Sequence, residues 1–137
     1  MRTEARGLKS LSPETCLRLL DAHPVHLGRI AASELDGQPF ILPVNYQVDG
    51  TSVVIRTEPQ SLIAQRAVRC QVAFEVDDVD AVWEDGWSVL VRGTAERVTD
   101  VVELERLRSL RLRPWAPGER SLYIRIQPTL ITGRQIV

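Results

Sequence analysis

Gly86-Trp87-Ser88-Val89-Leu90-Val91-Arg92-Gly93 is the stretch whose reading decides the fold. It opens a long strand expected over residues 87–98. Gly93 inside that strand marks a bulge or a close approach of another backbone, because a glycine interrupts side-chain packing that a strand would otherwise use. Similar short blocks lie along the rest of the chain. Upstream are Pro43-Val44-Asn45-Tyr46, Ile55-Arg56-Thr57 and Ala73-Phe74-Glu75-Val76-Asp77, and downstream is Ile131-Thr132-Gly133-Arg134.

Working outward, the acidic residues Asp77, Asp78, Asp80, Glu84 and Asp85 read as a solvated loop before this strand. A strand over 70–77 precedes the loop, and a short helical crossover over 59–68 precedes that strand. Asp49-Gly50 is the strongest hairpin signal, since both residues tolerate the positive φ of a tight primed turn. It joins strands over 40–48 and 51–57. In the first of these Phe40, Leu42, Val44, Tyr46 and Val48 share one face, and Ile41, Pro43, Asn45 and Gln47 share the other. Residues 35–38 turn the chain into it from a strand over 25–32.

Ser12-Pro13 opens a helix, with serine able to cap free amides and proline suited to the first helical position. Cys16, Leu17 and Leu20 form its apolar stripe, and His23-Pro24 stops it. Asp100 and Glu103 have capping-box spacing, and Val101, Leu104, Leu107 and Leu110 follow at helical intervals until Arg113-Pro114. A loop over 115–118 leads to a strand over 121–127, and residues 129–137 finish the sheet. Short strands joined mostly by hairpins, with three short helices, predict a mainly β antiparallel barrel. The strand-helix alternation and glycine-rich turn of a dinucleotide-binding fold are absent, which excludes a nicotinamide held in that manner.

The chain has 137 residues, expected to form one domain with a flexible start over 1–10. Hydrophobic residues make up 44% and charged residues 26%, as in ordinary globular chains. A formal net charge of -1 gives no general attraction to nucleic acid or anionic membrane. No apolar run approaches the roughly 20 residues of a membrane span, and no secretory signal is visible, so a cytoplasmic location is expected. Cys16 and Cys70 lack disulfide-framework or metal spacing and read as buried free thiols.

No H-E-x-x-H, paired C-x-x-C, G-x-S-x-G or phosphate-loop motif occurs. His23 and His26 flank Pro24 and are too isolated for a metal site, so helix-end or partly exposed histidines are expected. With so few acid–base groups in a recognisable arrangement, any chemistry would fall to a bound cofactor.

In order and spacing, the blocks quoted above resemble the pyridoxamine 5'-phosphate oxidase-like proteins, from about residue 11 to residue 137. The resemblance implies a six-stranded antiparallel split β-barrel of the FMN-binding type, working as a homodimer with FMN in each of two clefts between subunits. It assigns Pro43, Val44, Asn45 and Tyr46 to the strand beside the isoalloxazine edge. Arg56 and Thr57 fall at the ribityl phosphate, and Trp87 and Ser88 would reach the flavin from the partner subunit. Trp115 would close the cleft or lie under its loop. Arg125 and Arg134 have no firm site role, and Glu75 and Asp77 are equally well explained by a structural salt bridge.

One position departs from the family pattern. Relatives usually carry lysine or arginine immediately before the leucine matching Leu62, where this chain has Ser61 preceded by Gln60. Serine can donate a hydrogen bond but brings no charge, and losing one charge-assisted contact costs about ten- to hundredfold in affinity. Arg56, Arg66 or Arg69 would have to compensate. The expected function is an FMN-dependent oxidoreductase acting on a small molecule. The alternatives are a deazaflavin-dependent reductase, or a non-catalytic dimer binding a flavin, a haem-derived ligand or another aromatic ligand. Pyridoxamine 5'-phosphate oxidase activity itself is not expected, because the substrate-phosphate residues are missing and the chain is short for that enzyme.

Overall fold

A computed structural model describes residues 7–110, 112–115 and 121–136. Seven strands and three helices follow one another as β1 (Leu8–Leu11), α1 (Pro13–Ala22), β2 (Leu27–Ser33), β3 (Pro39–Asp49), β4 (Ser52–Thr57), α2 (Leu62–Arg66), β5 (Gln71–Asp80), β6 (Asp85–Arg97), α3 (Val101–Ser109) and β7 (Leu122–Ile136). The sheet order is β1-β7-β4-β3-β2-β5-β6, and a further β6–β7 pairing closes six of the strands into an antiparallel barrel. Among the described residues no helix is long and apolar enough to cross a membrane.

Closure depends on β7. One of its edges pairs with β6 from Ile124 to Gln135, while the other takes β4 along Leu122 to Ile126 and β1 along Gly133 to Ile136. The long strand therefore runs through Pro128 without a break, where two separate segments are expected from the sequence. Pro128 sits opposite Gly93, at the register shift between Arg92 and Gly93, and neither β4 nor β1 reaches residues 127–132. A residue without an N–H is tolerated at such a bulge and open edge. A Cβ on Gly93 would collide with the Gln127 carbonyl, so the close backbone approach read from the sequence is present.

Two further corrections concern ends. Residues 8–10, expected within a flexible start, lie in a strand whose partners are Arg134, Gln135 and Ile136 at the far end of the chain. Most of the expected acidic loop is hairpin, because β5 continues to Asp80 and β6 begins at Asp85. Residues 1–6 of the expected flexible start, and 116–118 of the expected loop, lie outside the described residues.

Local chemistry explains the helices. Ser12 caps α1 by accepting from the Thr15 amide, with proline in the first turn. Asp100 caps α3 by accepting from the Glu103 amide. The main core fills the barrel with Tyr46, Phe74, Ile30, Ile55, Ile124, Ile126 and the inward valines, and Cys16 and Leu20 of α1 plug one side. A second cluster seats α3 and Leu112 against Val54 and Tyr123.

Candidate functional site

The barrel opens between β3 and β4. Their pairing covers only Tyr46↔Ile55 to Asp49↔Ser52, and beyond Ile55 the strand β4 pairs with β7 alone. Residues 39–45 of β3 thus keep β2 on one edge and lack a ladder partner on the other. The Tyr46 amide donates to the His26 carbonyl on the β2 side (3.2 Å). By strand alternation the main-chain groups of Pro43 and Asn45 face the open edge. That edge offers both carbonyls and the Asn45 N–H, and proline leaves no second donor unsatisfied.

A cavity of about 280 Å3 occupies the gap, lined by Pro43, Val44, Asn45, Arg56, Thr57 and Ser61, together with Leu42, Ile63 and Pro114. Six of the residues assigned from the sequence are therefore brought to one place. Thr57 is buried at the end of β4, where its Oγ1 donates to Ser61 Oγ at 2.7 Å. Ser61 also caps α2 by accepting from the Ala64 amide (3.1 Å). A hydroxyl has one donor and two acceptor sites, so these two contacts leave the Ser61 proton to give.

Arg56 is the guanidinium at this cavity. Its Nη1 donates to the Leu112 carbonyl (2.9 Å), and its Cζ lies 5.0 Å from the centre of the Tyr123 ring. Asn45 is held at both ends of its amide: Nδ2 donates to the His26 carbonyl (3.0 Å) and Oδ1 accepts from the Trp115 amide (2.8 Å). The segment carrying Leu112 and Trp115 is thereby tied to the cavity by two of the assigned residues.

The remaining assigned residues lie elsewhere. Tyr46 is fully buried, donates from its phenol to the Leu20 carbonyl (2.7 Å), and has its pKa pushed up by burial, then by the nearby Asp21 charge. Val44 is also buried, and strand alternation turns the main-chain groups of both toward β2. Leu62 is half-buried on α2 and does not line the cavity. Trp87 and Ser88 border a separate cavity of about 270 Å3 with Asp77, Gly86, Arg134 and Leu8, and the Trp87 ring meets His23 edge-on at 5.6 Å. The cavity at Arg56 does not include Trp87, and the cavity at Trp87 does not include Arg56.

Other candidates have structural employment. Arg125 joins Asp49 (2.8 Å), Ser52 and Glu103, clamping α3 to the β3–β4 hairpin. Arg29 pairs with Glu75 (3.3 Å) and Asp77 (3.7 Å). Burial raises the Glu75 pKa, and the neighbouring Asp77 charge adds to the rise. Cys16 is buried as expected, whereas Cys70 is exposed because β5 begins one residue later and Cys70 lies in the turn after α2. His23 ends α1, its ring Nδ1 accepting from the Val25 amide (3.0 Å). His26 is half-buried, stacked on Tyr46.

Sequence reasoning missed Leu42, Ile63, Leu112 and Pro114. Leu42 was within reach, since it shares a face with Val44. Leu112 and Pro114 arrive from a distant segment that carries no local sign of where it docks.

A closed barrel that parts between β3 and β4 over a polar-edged cavity defines a split barrel. The sequence profile of the family described as pyridoxamine 5'-phosphate oxidase matches residues 12–135, and the chain belongs to that family. An FAD-binding protein from Mycobacterium smegmatis is 36% identical with a TM-score of 0.80, over 93% of this chain and 98% of that one. A conserved Corynebacterium diphtheriae protein of unknown function is 28% identical with a TM-score of 0.77, over 96% and 99% of the two chains. An uncharacterised Mycobacterium tuberculosis protein is 34% identical over 97% of this chain and 88% of its own length.

Proposed function

We propose that two copies of this chain bind FMN in clefts between them and act as an oxidoreductase on a small molecule. The observation that carries the proposal is the unpaired edge of β3 facing Arg56, Thr57 and Ser61 across one cavity. The pyrimidine edge of a flavin alternates carbonyl oxygens with an N–H. The Asn45 N–H can donate to one of those carbonyls, and a neighbouring strand carbonyl, that of Pro43 or Asn45, can accept from the flavin N–H. Arg56 would take phosphate oxygens through a charge-assisted contact, with the spare Ser61 proton beside it. A bound flavin would supply the hydride chemistry, and these residues bind and orient it.

Two features support a second copy. The cavity in one chain is about 280 Å3, below the roughly 300–1,000 Å3 of complete ligand sites. Trp87 and Ser88, the remaining assigned contacts, border a different cavity of the same chain, an arrangement that suits donation to a partner's cleft.

FAD is the second reading. It is favoured by the 36% identical FAD-binding relative and by an uncharged Ser61 where a terminal monophosphate would gain from a cation. Titration of cofactor-free protein with FMN and with FAD, followed by absorbance and sedimentation, tests both. Tight uptake of one flavin by a dimer, weakened roughly tenfold or more by Arg56→Gln, is the expected result. A protein that takes up neither flavin overturns the proposal.

A further inference from the structure

We infer that the cavity on the far side of Asn45 is a subsite for a small planar carboxylate. This cavity, about 270 Å3, is bordered by His26, Asn45, Gln47, Arg113 and Trp115, with the buried Tyr46 beneath. Asn45 also lines the cleft described above, so one residue borders both spaces. Its amide is fixed at both ends and is not free to swing into either.

Two side chains of the cavity have no use in the fold. Trp115 leaves 65% of its surface exposed, which a merely structural indole rarely does. Arg113 is exposed and makes no ion pair among the described residues. The segment carrying both is nonetheless anchored, through Leu112 to Arg56 and through the Trp115 amide to Asn45. Arg113 lies between these two anchors, so the backbone that carries the cation and the indole is held at the cavity in advance of any ligand.

A third side is histidine. The His26 ring stacks on Tyr46 with 4.8 Å between centres, and its Nε2 lies 3.0 Å from the Asp21 carbonyl. A carbonyl only accepts, so Nε2 holds the proton and Nδ1 is the atom left for another partner.

An indole face asks for a planar π-system, and an unpaired guanidinium asks for a carboxylate that it can grip with two parallel N–H groups. The volume limits the guest to a single-ring molecule at the small end of ligand sites. Assigning this guest as the redox partner rests on the flavin reading, because only then does it lie beside the reactive ring. The binding itself does not.

The test is calorimetric titration of the purified full-length chain with sodium benzoate, before and after loading with flavin, and with neutral benzamide as control. Saturable benzoate binding is expected in both states, with benzamide at least tenfold weaker. Arg113→Gln should lose about tenfold in benzoate affinity and leave flavin affinity unchanged, and Trp115→Phe should retain more of the binding than Trp115→Ala. No saturable benzoate binding overturns the inference, as does mutual displacement of benzoate and flavin, which would give the cavity to the flavin. A chain that binds benzoate but no flavin would remove the proposed function and leave the subsite standing.

Discussion

Thr57 Oγ1 donates to Ser61 Oγ at 2.7 Å, tying the end of β4 to the cap of α2. Ser61 therefore does structural work at the position where the family resemblance implies a cation. Ser61→Lys removes that work and adds the charge. Loss of the cap should cost about 1 kcal/mol of stability, read by thermal unfolding. FMN affinity should rise about tenfold nevertheless, because a charge-assisted contact outweighs the single hydroxyl donor. An unchanged dissociation constant would put the phosphate somewhere other than the start of α2.

The hairpin Asp49 carries a pH dependence. Hydrogen bonds from Arg106 (2.6 and 2.8 Å) lower its pKa most, Arg125 lowers it further, and partial burial works against them, leaving it at about 2 against an ordinary 3.8. The folded value lies below the unfolded one, so this stabilisation is complete above about pH 5 and drains away as pH falls toward 2. A shift of just under two units corresponds to on the order of 2 kcal/mol. Denaturant midpoints for Asp49→Asn should lie below wild type at pH 7 and approach it near pH 2. Parallel curves over that range would mean that the clamp on α3 contributes nothing.

The cysteines should differ in reactivity. Cys16 has no exposed surface, and burial pushes its thiol pKa up, while Cys70 is exposed in the turn before β5. A thiol-titrating disulfide reagent should modify one cysteine per native chain and two after unfolding. Rapid modification of both in the native protein would show that α1 does not seal the barrel.

Elements with local chemistry were legible. Asp49-Gly50 announces its turn, although Asp49 ends β3 opposite Ser52 and the two turn residues are Gly50, with its positive φ of 61°, and Thr51. The Ser12 and Asp100 caps are each satisfied within three residues. What could not be read depends on distant partners. Leu8–Leu11 is a strand only because β7 offers it an edge more than a hundred positions away, and β7 is continuous only because Gly93 makes room opposite Pro128. The site divides in the same way. Alternation along β3 predicts Val44 and Tyr46 inward and Asn45 outward, but nothing near Asn45 foretells the Trp115 amide that occupies its oxygen.

Gly93 tests the closure of the barrel. Here β6 shifts register against β7, and a Cβ would meet the carbonyl of Gln127 and the Cα of Pro128, which are backbone and cannot rotate aside. Overpacking of a site that cannot relax costs about 1–3 kcal/mol, so Gly93→Ala should lose at least that much stability, read as a lower unfolding midpoint. Gly37→Ala makes a useful comparison. That turn glycine has a positive φ of 87° and no atom near its missing Cβ, so any loss there reports backbone strain alone. Because β6–β7 pairing is the closing seam, Gly93→Ala should also speed amide exchange along β7 from Ile124 to Ile131, whereas Gly37→Ala should leave those amides protected. Equal protection of β7 in both variants would show that the seam does not depend on the close approach at Gly93.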